Sequence, residues 1–212
     1  MRTLAVITAL VTLSTSMLAA QMPVEGRNPR QGFWVGLGLG AGSAGTHLAG
    51  VRSGRTTAPS GYARLGGTVS QSLLVGGETS GWVDSHDGAS YLIEAVSAVV
   101  LWYPDRTGAF YLKFGLGALR YSASDWWRPS VPVAAADVFF PFYWRAEEHM
   151  LAPLAAFGLG YEFRVSRATS VNAFVNGLAS SAAKFEASDP SQLSSPDVKV
   201  NLIQVGLGLT WH

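Results

Sequence analysis

The stretch Leu202-Ile203-Gln204-Val205-Gly206-Leu207-Gly208-Leu209-Thr210-Trp211, close to the end of the 212-residue chain, alternates apolar residues with polar or small ones at nearly every step. Its two phases are Ile203, Val205, Leu207, Leu209 and Trp211, and Gln204, Gly206, Gly208 and Thr210. A period of two places successive side chains on opposite faces of a strand. The stretch therefore predicts a β-strand with one apolar face and one small or polar face.

The same alternation recurs along the chain. It is clear at Phe33 to Gly40, Phe110 to Ala118 and Ala155 to Phe163, and weaker near residues 60–69, 72–82, 90–103 and 171–185. Four of the segments carry a Gly-Leu-Gly triplet, with glycine in the polar phase, at residues 36–38, 115–117, 158–160 and 206–208. Eight alternating segments predict an all-β fold, an eight-stranded antiparallel up-and-down β-barrel with glycine on its crowded inner face.

The connections between these segments differ in length. Short ones are predicted at Val69 to Ser72, Pro104 to Gly108 and Arg164 to Ser170, and a modest one at Asp84 to Ser90. Longer ones are predicted at Ser43 to Pro59, Ser124 to His149 and Glu186 to Asp197. Short turns at one end and long loops at the other are typical of transmembrane β-barrels, in which the turns are periplasmic.

Composition and the first residues indicate an exported membrane protein. Charged residues are 14% of the chain, against about 25% in typical globular proteins. Arg2, the apolar run Leu4 to Leu13 and Leu18-Ala19-Ala20 predict a signal peptide over residues 1–20 that is cleaved on export; a membrane-anchoring helix is the alternative. A short periplasmic segment, residues 21–31, and the barrel domain, residues 32–212, follow.

The placement of charged residues distinguishes a soluble barrel from a transmembrane one. A soluble lipocalin-like barrel would turn its apolar face inward, whereas a transmembrane barrel turns it toward lipid. Five charged residues are predicted in the polar phase and hence in the lumen, as a network of ion pairs: Arg64, Glu78, Glu94, Lys113 and Glu162. Aromatic residues near strand ends are predicted to form interfacial girdles: Phe33, Trp82, Trp102, Tyr103, Tyr121 and Trp211. Both patterns favour the transmembrane barrel.

On these segments the chain resembles the outer-membrane β-barrels of the OmpA-like and OmpX-like type over residues 32–212. The resemblance implies a place in the bacterial outer membrane, among its lipids, and insertion by the barrel-assembly machinery. Members of this group usually end in an alternating strand with a terminal aromatic residue, which that machinery recognises. The corresponding insertion signal here is Val205, Leu207, Leu209 and Trp211, with His212 after the aromatic residue.

Motifs that would carry chemistry are weak. Gly40 to Gly45 fits a dinucleotide-binding pattern, but a loop rich in Gly and Ser follows it instead of a helix. His86 lies in Asp84-Ser85-His86-Asp87, where adjacency alone makes no catalytic triad. The chain has no cysteine, its histidines are scattered, and its net charge is +1. We therefore expect no enzyme activity, metal, cofactor or nucleic-acid partner. A lipid-modifying enzyme with a Ser–His pair remains a remote alternative.

The predicted loop Ser124 to His149 is rich in aromatic residues. Its candidate surface-binding residues, for an extracellular ligand of unknown identity, are Trp126, Trp127, Arg128, Tyr143, Trp144 and Arg145. The simpler interpretation is that the loop extends two strands beyond the membrane. The sequence thus favours a non-enzymatic barrel with a structural or surface-interaction role. The alternative is a narrow porin that conducts ions or small solutes through a polar lumen.

Overall fold

The computed structural model describes residues 30–48, 51–52, 54–86, 89–124, 148–166, 168–183, 186–187 and 197–212. Eight long strands form the fold: β1 (Phe33–Leu48), β2 (Thr56–Ser70), β3 (Leu73–His86), β4 (Ala89–Trp102), β5 (Phe110–Ser124), β6 (Glu148–Arg164), β7 (Thr169–Ser180) and β8 (Val198–Trp211). Two short strands, Val51–Arg52 and Glu186–Ala187, pair with the ends of β1 and β6. No helix within the described ranges is long and apolar enough to cross a membrane.

The sheet closes on itself. Each long strand pairs antiparallel with the next, and β1 pairs with β8 from Val35–Trp211 to Leu48–Val198. Closure gives every strand two neighbours and removes the free sheet edges that an open sheet would expose. The predicted eight-stranded antiparallel barrel is confirmed. One end carries short connections, such as Gln71-Ser72, and is called the turn end below; the opposite end is the loop end.

The apolar phase of the strands faces outward. Leu116 and Leu207 are 74% and 63% exposed, although water would strongly disfavour such side chains on a soluble protein. They belong to a continuous apolar belt that includes Leu39, Leu65, Phe114, Phe157, Leu159, Val175, Ile203 and Val205. An apolar outer belt of this extent is typical of transmembrane β-barrels. The barrel therefore has the orientation expected of an outer-membrane protein and not that of a lipocalin.

The strands run further toward the loop end than the sequence predicts. The predicted loop Ser43 to Pro59 is mostly strand, because β1 continues to Leu48 and β2 begins at Thr56. The predicted connection Asp84 to Ser90 shrinks to residues 87–88 for the same reason. Above the belt the outer phase of a strand need not be apolar. These segments therefore keep their hydrogen-bonded pairing with neighbouring strands but lose the alternation from which a strand is predicted.

The predicted aromatic girdle is correct in part. Phe33, Trp102 and Trp211 are exposed on the outer face at the turn end, as an interfacial girdle requires. Trp82 and Tyr103 are instead almost completely buried inside the barrel. Tyr121 lies in the inward phase and packs against the interior, stacked on Tyr91. The error has a simple cause, since position near a strand end does not say which face a residue occupies.

Inward glycines accommodate large neighbouring side chains. A Cβ at Gly38 would lie 2.3 Å from Tyr62 Cε1, and one at Gly160 would lie 2.4 Å from Tyr111 Cζ. Either side chain would have to move if the glycine became alanine. Gly38 and Gly160 thus leave room for aromatic rings against the inner wall. Gly117 and Gly206 of the same triplets have a different role, since a Cβ there would collide with the main chain of the neighbouring strand.

Candidate functional site

The interior of the barrel contains three layers. At the loop end lies an apolar layer, whose larger members are Trp82, Ile93, Leu119, Met150, Leu154, Leu178 and Leu202. At the turn end lies an aromatic layer of Trp34, Leu74, Leu101, Tyr103 and Tyr111. Between them lies a central polar layer, whose members include Tyr62, Arg64, Glu78, Lys113, Asn172, Asn176, Gln204 and Thr210. The layers alternate in polarity along the barrel axis.

An ion pair spans the central polar layer. Lys113 Nζ, on β5, lies 2.6 Å from Glu78 Oε1, on β3, and neither side chain is exposed. Ser80 donates a hydrogen bond to the same Glu78 oxygen at 3.2 Å. A buried charge of either sign needs a partner of this kind, because removal from water is unfavourable by several kcal/mol per ion. Two of the five charged residues of the predicted network therefore meet.

Arg64 is held mainly by aromatic rings. Its guanidinium carbon lies 4.7 Å from the ring centroid of Tyr62, 5.2 Å from that of Tyr111 and 5.8 Å from that of Trp34. The group donates to the Tyr111 hydroxyl at 3.3 Å and to Thr210 Oγ1 at 3.5 Å. The negative faces of aromatic rings attract a cation, most strongly where water is excluded.

Neutral hydrogen bonds link strands on opposite sides of the lumen. Tyr62 on β2 donates to Asn172 Oδ1 on β7 at 3.0 Å, and Asn172 Nδ2 donates to Thr210 Oγ1 at 3.1 Å. Gln204 Nε2 on β8 donates to the Gly81 carbonyl on β3 at 3.4 Å. The Tyr62–Asn172 and Gln204–Gly81 bonds join strands that are not neighbours in the sheet and therefore cross the lumen. The Asn172–Thr210 bond joins the adjacent strands β7 and β8.

Arg30 closes the turn end. Its guanidinium donates to the Gly108 carbonyl at 2.8 Å and to the Gln71 carbonyl at 3.2 Å, so it joins two turns. The Arg30 main chain exchanges two 2.9 Å hydrogen bonds with the Gln71 side chain. The guanidinium carbon lies 3.5 Å from the centroid of the Tyr103 ring. Arg30 precedes the first strand. Through these contacts its side chain covers the lumen at the turn end.

Glu162 is the carboxylate of this closure. It lies 3.7 Å from Arg30 Nη2 and accepts a 2.9 Å hydrogen bond from the Tyr103 hydroxyl. Burial raises the pKa of Tyr103, and Glu162 raises it further, against the opposing charge of Arg30. His212 Nε2 lies 3.9 Å from the same carboxylate, and burial lowers the pKa of its imidazole. Glu162 thus belongs to the turn end and not to the central ion pair.

Glu94 does not join the lumenal network, contrary to the prediction. Its neighbours Ile93 and Ala95 are buried in the apolar layer, so alternation places Glu94 on the outer face of β4. There it faces Arg120, its register partner on β5, at 3.4 Å. Around Glu94 both phases are apolar, with Leu92 and Val96 in the outer phase and Ile93 and Ala95 in the inner one, so alternation does not reveal which face the carboxylate occupies.

The remaining predicted sites fall partly outside the described residues. The surface-loop residues Trp126, Trp127, Arg128, Tyr143, Trp144 and Arg145 lie there, as do the predicted signal peptide and residues 21–29.

The residues of the predicted insertion signal, Val205, Leu207, Leu209 and Trp211, all lie on the outer face of β8. The Ser85 hydroxyl bonds to that of Ser90 at 3.1 Å. No group of three or more potential metal ligands occurs among the described residues.

Sequence reasoning missed Arg30 and Arg120. Arg30 lies in a segment without periodicity, so nothing in the sequence connects it with the barrel mouth 41 and 78 residues further on. Arg120 carried a usable signal, because Leu119 before it and Tyr121 after it are the apolar residues of the inward phase. Extending the phase of Lys113 along β5 by steps of two would have placed Arg120 on the outside.

The fold is shared with solved outer-membrane barrels. Neisserial surface protein A has a TM-score of 0.51 and 11% sequence identity, over 84% of this chain and 96% of that chain. Ail, the attachment invasion locus protein of Yersinia pestis, has a TM-score of 0.48 and 13% identity, over 85% and 99%. No protein-family model and no curated protein matches the sequence. The chain thus has the small outer-membrane β-barrel fold that its resemblance implied.

Proposed function

We propose that the protein is a non-conducting, non-enzymatic β-barrel of the bacterial outer membrane with a structural or surface-interaction role. The observation that carries this proposal is that buried side chains of the described residues occupy the lumen in three successive layers. The central polar layer is bridged from wall to wall, for example by Gln204 and Gly81. The apolar layer lies above it and Arg30 lies below it.

The alternative, a narrow porin, must pass the apolar layer. A permeating ion would have to shed water among Leu119, Met150 and Leu202, whose side chains are fully buried. The members of this cluster among the described residues are all apolar, so none of them can replace the lost hydration. The inward-phase carboxylate of Asp84 lies at the loop-end edge of the layer, two residues beyond Trp82. An apolar constriction of this kind is a barrier to ions. The polar residues of the central layer alone do not make a conducting path.

The proposed location and orientation follow from the outer surface. The apolar belt needs lipid, and the predicted signal peptide would deliver the chain across the inner membrane. The turn end, with Arg30, then faces the periplasm and the loop end faces the exterior. In this orientation Ser124 and Glu148, the described residues that flank the predicted loop with Trp126, Trp127 and Trp144, lie at the external end of the barrel, which supports a surface-interaction role.

Two measurements test the proposal. In fractionated cell envelopes, the protein is expected in the outer membrane, with an unboiled gel band that migrates faster than the boiled one. In planar bilayers, the purified protein is expected to give no channel openings. A variant with Leu119→Ala and Leu202→Ala, which hollows the apolar layer, is the matched comparison. Steady conductance of the unaltered protein would establish the porin, and turnover of vesicle phospholipid would establish an enzyme.

The surface-interaction role has its own test. Cells that carry the unaltered protein are compared, for adhesion to a surface coated with extracellular matrix, with cells that carry Trp126→Ala, Trp127→Ala and Trp144→Ala together. Heat modifiability shows whether the triple variant still folds. Loss of adhesion by a folded variant supports the role, whereas equal adhesion of both cell types leaves only the structural role.

A further inference from the structure

A cluster of basic side chains lies on the outer face of the barrel at the loop end. Arg55 immediately precedes β2, and Lys199 lies in the outward phase of β8. His47, on β1, is the register partner of Lys199. His47 and Lys199 lie on the adjacent strands β1 and β8, and Arg55 lies next to the start of β2, all directly above the apolar belt; the three are called the basic rim cluster below.

Arg55 is fixed in place against the barrel wall. Its Nε donates to Ser43 Oγ at 3.0 Å, one Nη donates to the Ser43 carbonyl, and the other donates to Asn201 Oδ1 on β8. A Cβ at Gly45 would lie 3.3 Å from Arg55 Nη1, so the absence of a side chain at Gly45 lets the guanidinium lie flat. A guanidinium has five N–H donors, and three such bonds leave two available to a ligand.

No described carboxylate forms an ion pair with Arg55 or Lys199; Asp197, exposed two residues before Lys199 in the same phase, is the acidic residue nearest to Lys199 along the chain. Arg55 and Lys199 are both exposed, and among the described residues neither has a carboxylate within 4.0 Å. The partners of Arg55 are a hydroxyl, a carbonyl and an amide oxygen, none of which carries a formal charge. A fixed cation with unused donors suits an oxyanion such as phosphate, which guanidinium groups bind bidentately.

The height of the cluster identifies the source of such an anion. The lowest belt residue on β8 is Trp211, and the highest is Ile203. With about 3.3 Å per residue and a strand tilt of about 40°, Ile203 lies about 20 Å above Trp211 and Lys199 about 30 Å above it. An apolar band about 25 Å tall therefore ends between these two residues. Lys199 and Arg55 lie at the level of the lipid headgroups.

We propose that the basic rim cluster binds the phosphate group of a phosphorylated lipid in the outer leaflet. Arg55 holds the phosphate with its two free N–H donors, and Lys199 supplies a second positive charge. His47 offers an imidazole next to Lys199. Since the bound lipid would lie against β8, β1 and β2, it would cover the seam at which the barrel closes. The inference rests on the proposed membrane location and adds a specific lipid contact to it.

The test uses the full chain reconstituted in vesicles. Heat modifiability on gels gives the temperature at which half of the barrels unfold, in phosphatidylcholine alone and in phosphatidylcholine with diphosphorylated lipid A. We expect lipid A to raise this temperature for the unaltered protein. The double variant Arg55→Gln, Lys199→Gln should lose most of the rise, because each surface cation near an anionic lipid contributes about fivefold to binding. Arg106→Gln, which removes an exposed cation at the turn end, should keep the rise.

The outcomes separate the lipid contact from the proposed location. An equal rise in the double variant, or no rise in the unaltered protein, would overturn the proposal while leaving the membrane barrel intact. Inorganic phosphate added to plain vesicles is the second probe. If it alone gives the same rise, the cluster binds free phosphate and the lipid assignment is wrong. Failure of the protein to enter vesicles at all would count against the membrane location, which the unboiled gel band reports independently.

Discussion

Lys113 and Glu78 meet at 2.6 Å in the middle of the barrel, with neither side chain exposed. Arg64, in the same layer, is surrounded by aromatic rings and hydroxyl groups and has no carboxylate within 4.0 Å among the described residues. The central polar layer therefore contains Lys113, whose charge is balanced by a carboxylate, and Arg64, whose charge is stabilised by neutral rings and hydroxyl groups. We expect substitution of the two residues to change the stability of the barrel differently.

Lys113→Met should destabilise the barrel strongly. The substitution leaves the Glu78 carboxylate buried without its partner, and loss of one member of a buried pair typically lowers the free energy of unfolding by about 3–5 kcal/mol. The double variant Lys113→Met, Glu78→Gln should recover much of this loss. Urea unfolding in detergent micelles measures both. A single variant as stable as the double one would show that the pair is not coupled.

Leu207→Arg should destabilise the barrel only if that face meets lipid. Leu207 is 63% exposed at the centre of the belt, and a cation there is unfavourable by about 2–4 kcal/mol in a bilayer. Val165→Arg is the control, since Val165 is 68% exposed in a turn beyond the belt. Folding yield into vesicles should fall for the first variant alone. Equal yields would indicate that the belt faces water.

Gly38→Ala should be destabilising, although alanine is usually the better strand residue. The new Cβ would lie 2.3 Å from the ring of Tyr62, and overpacking of this kind typically removes about 1–3 kcal/mol. Gly77→Ala, on the outer face with no atom within 4 Å of the new Cβ, should be neutral. Unfolding midpoints in urea compare the two. A neutral Gly38→Ala would mean that the Tyr62 ring has room to move.

Arg30→Gln should loosen the turn end without creating a channel. The variant loses the bonds to two turns and the contact with Glu162, so amide exchange should accelerate at residues 103–109. Conductance should stay at zero, because the apolar layer above is untouched. Exchange is followed by mass spectrometry and conductance in planar bilayers. Channel openings in this variant would identify Arg30 as the gate of a porin.

His212 should reduce stability in acid. Burial holds the pKa of its imidazole below the usual 6.5, so the unfolded chain binds a proton before the folded protein does. Well above pH 6.5 the imidazole is neutral in both states and contributes no pH dependence. As the pH falls below this value, the free energy of unfolding decreases until the folded-state pKa is passed. The difference between the unaltered protein and His212→Gln, measured by urea unfolding, should change with pH in that range and stay constant above it.

The sequence predicted the barrel because lipid imposes a strict pattern on it. Wherever a strand crosses the belt, as at Phe110 or Leu207, one phase must be apolar, and that constraint is visible without a structure. Above the belt the constraint disappears, which is why the upper half of β1 was predicted as a loop. Glu94 was predicted in the lumen for a different reason, since both phases of β4 around it are apolar; it faces outward toward Arg120.

The site was less predictable than the fold because it depends on contacts between distant strands. Alternation predicts that Lys113 and Glu78 both face the lumen, but it does not predict that they form an ion pair. Nor does it predict that Glu162 lies next to Arg30 at the turn end. Such pairing depends on the stagger of the strands around the barrel, which sequence periodicity does not contain. Arg30 shows this most clearly, since its partners lie in turns that only the closed sheet brings together.

The pairing of β1 with β8 has a consequence for biogenesis. The residues that complete the cylinder, Val198 to Trp211, belong to the last of the eight long strands, and their partners, Val35 to Leu48, belong to the first. No section of the lumen can therefore be sealed before β8 has been synthesised, and a chain cut short before β8 has two unpaired borders. The packing of the interior thus depends on the arrival of β8, however early the other strands are made.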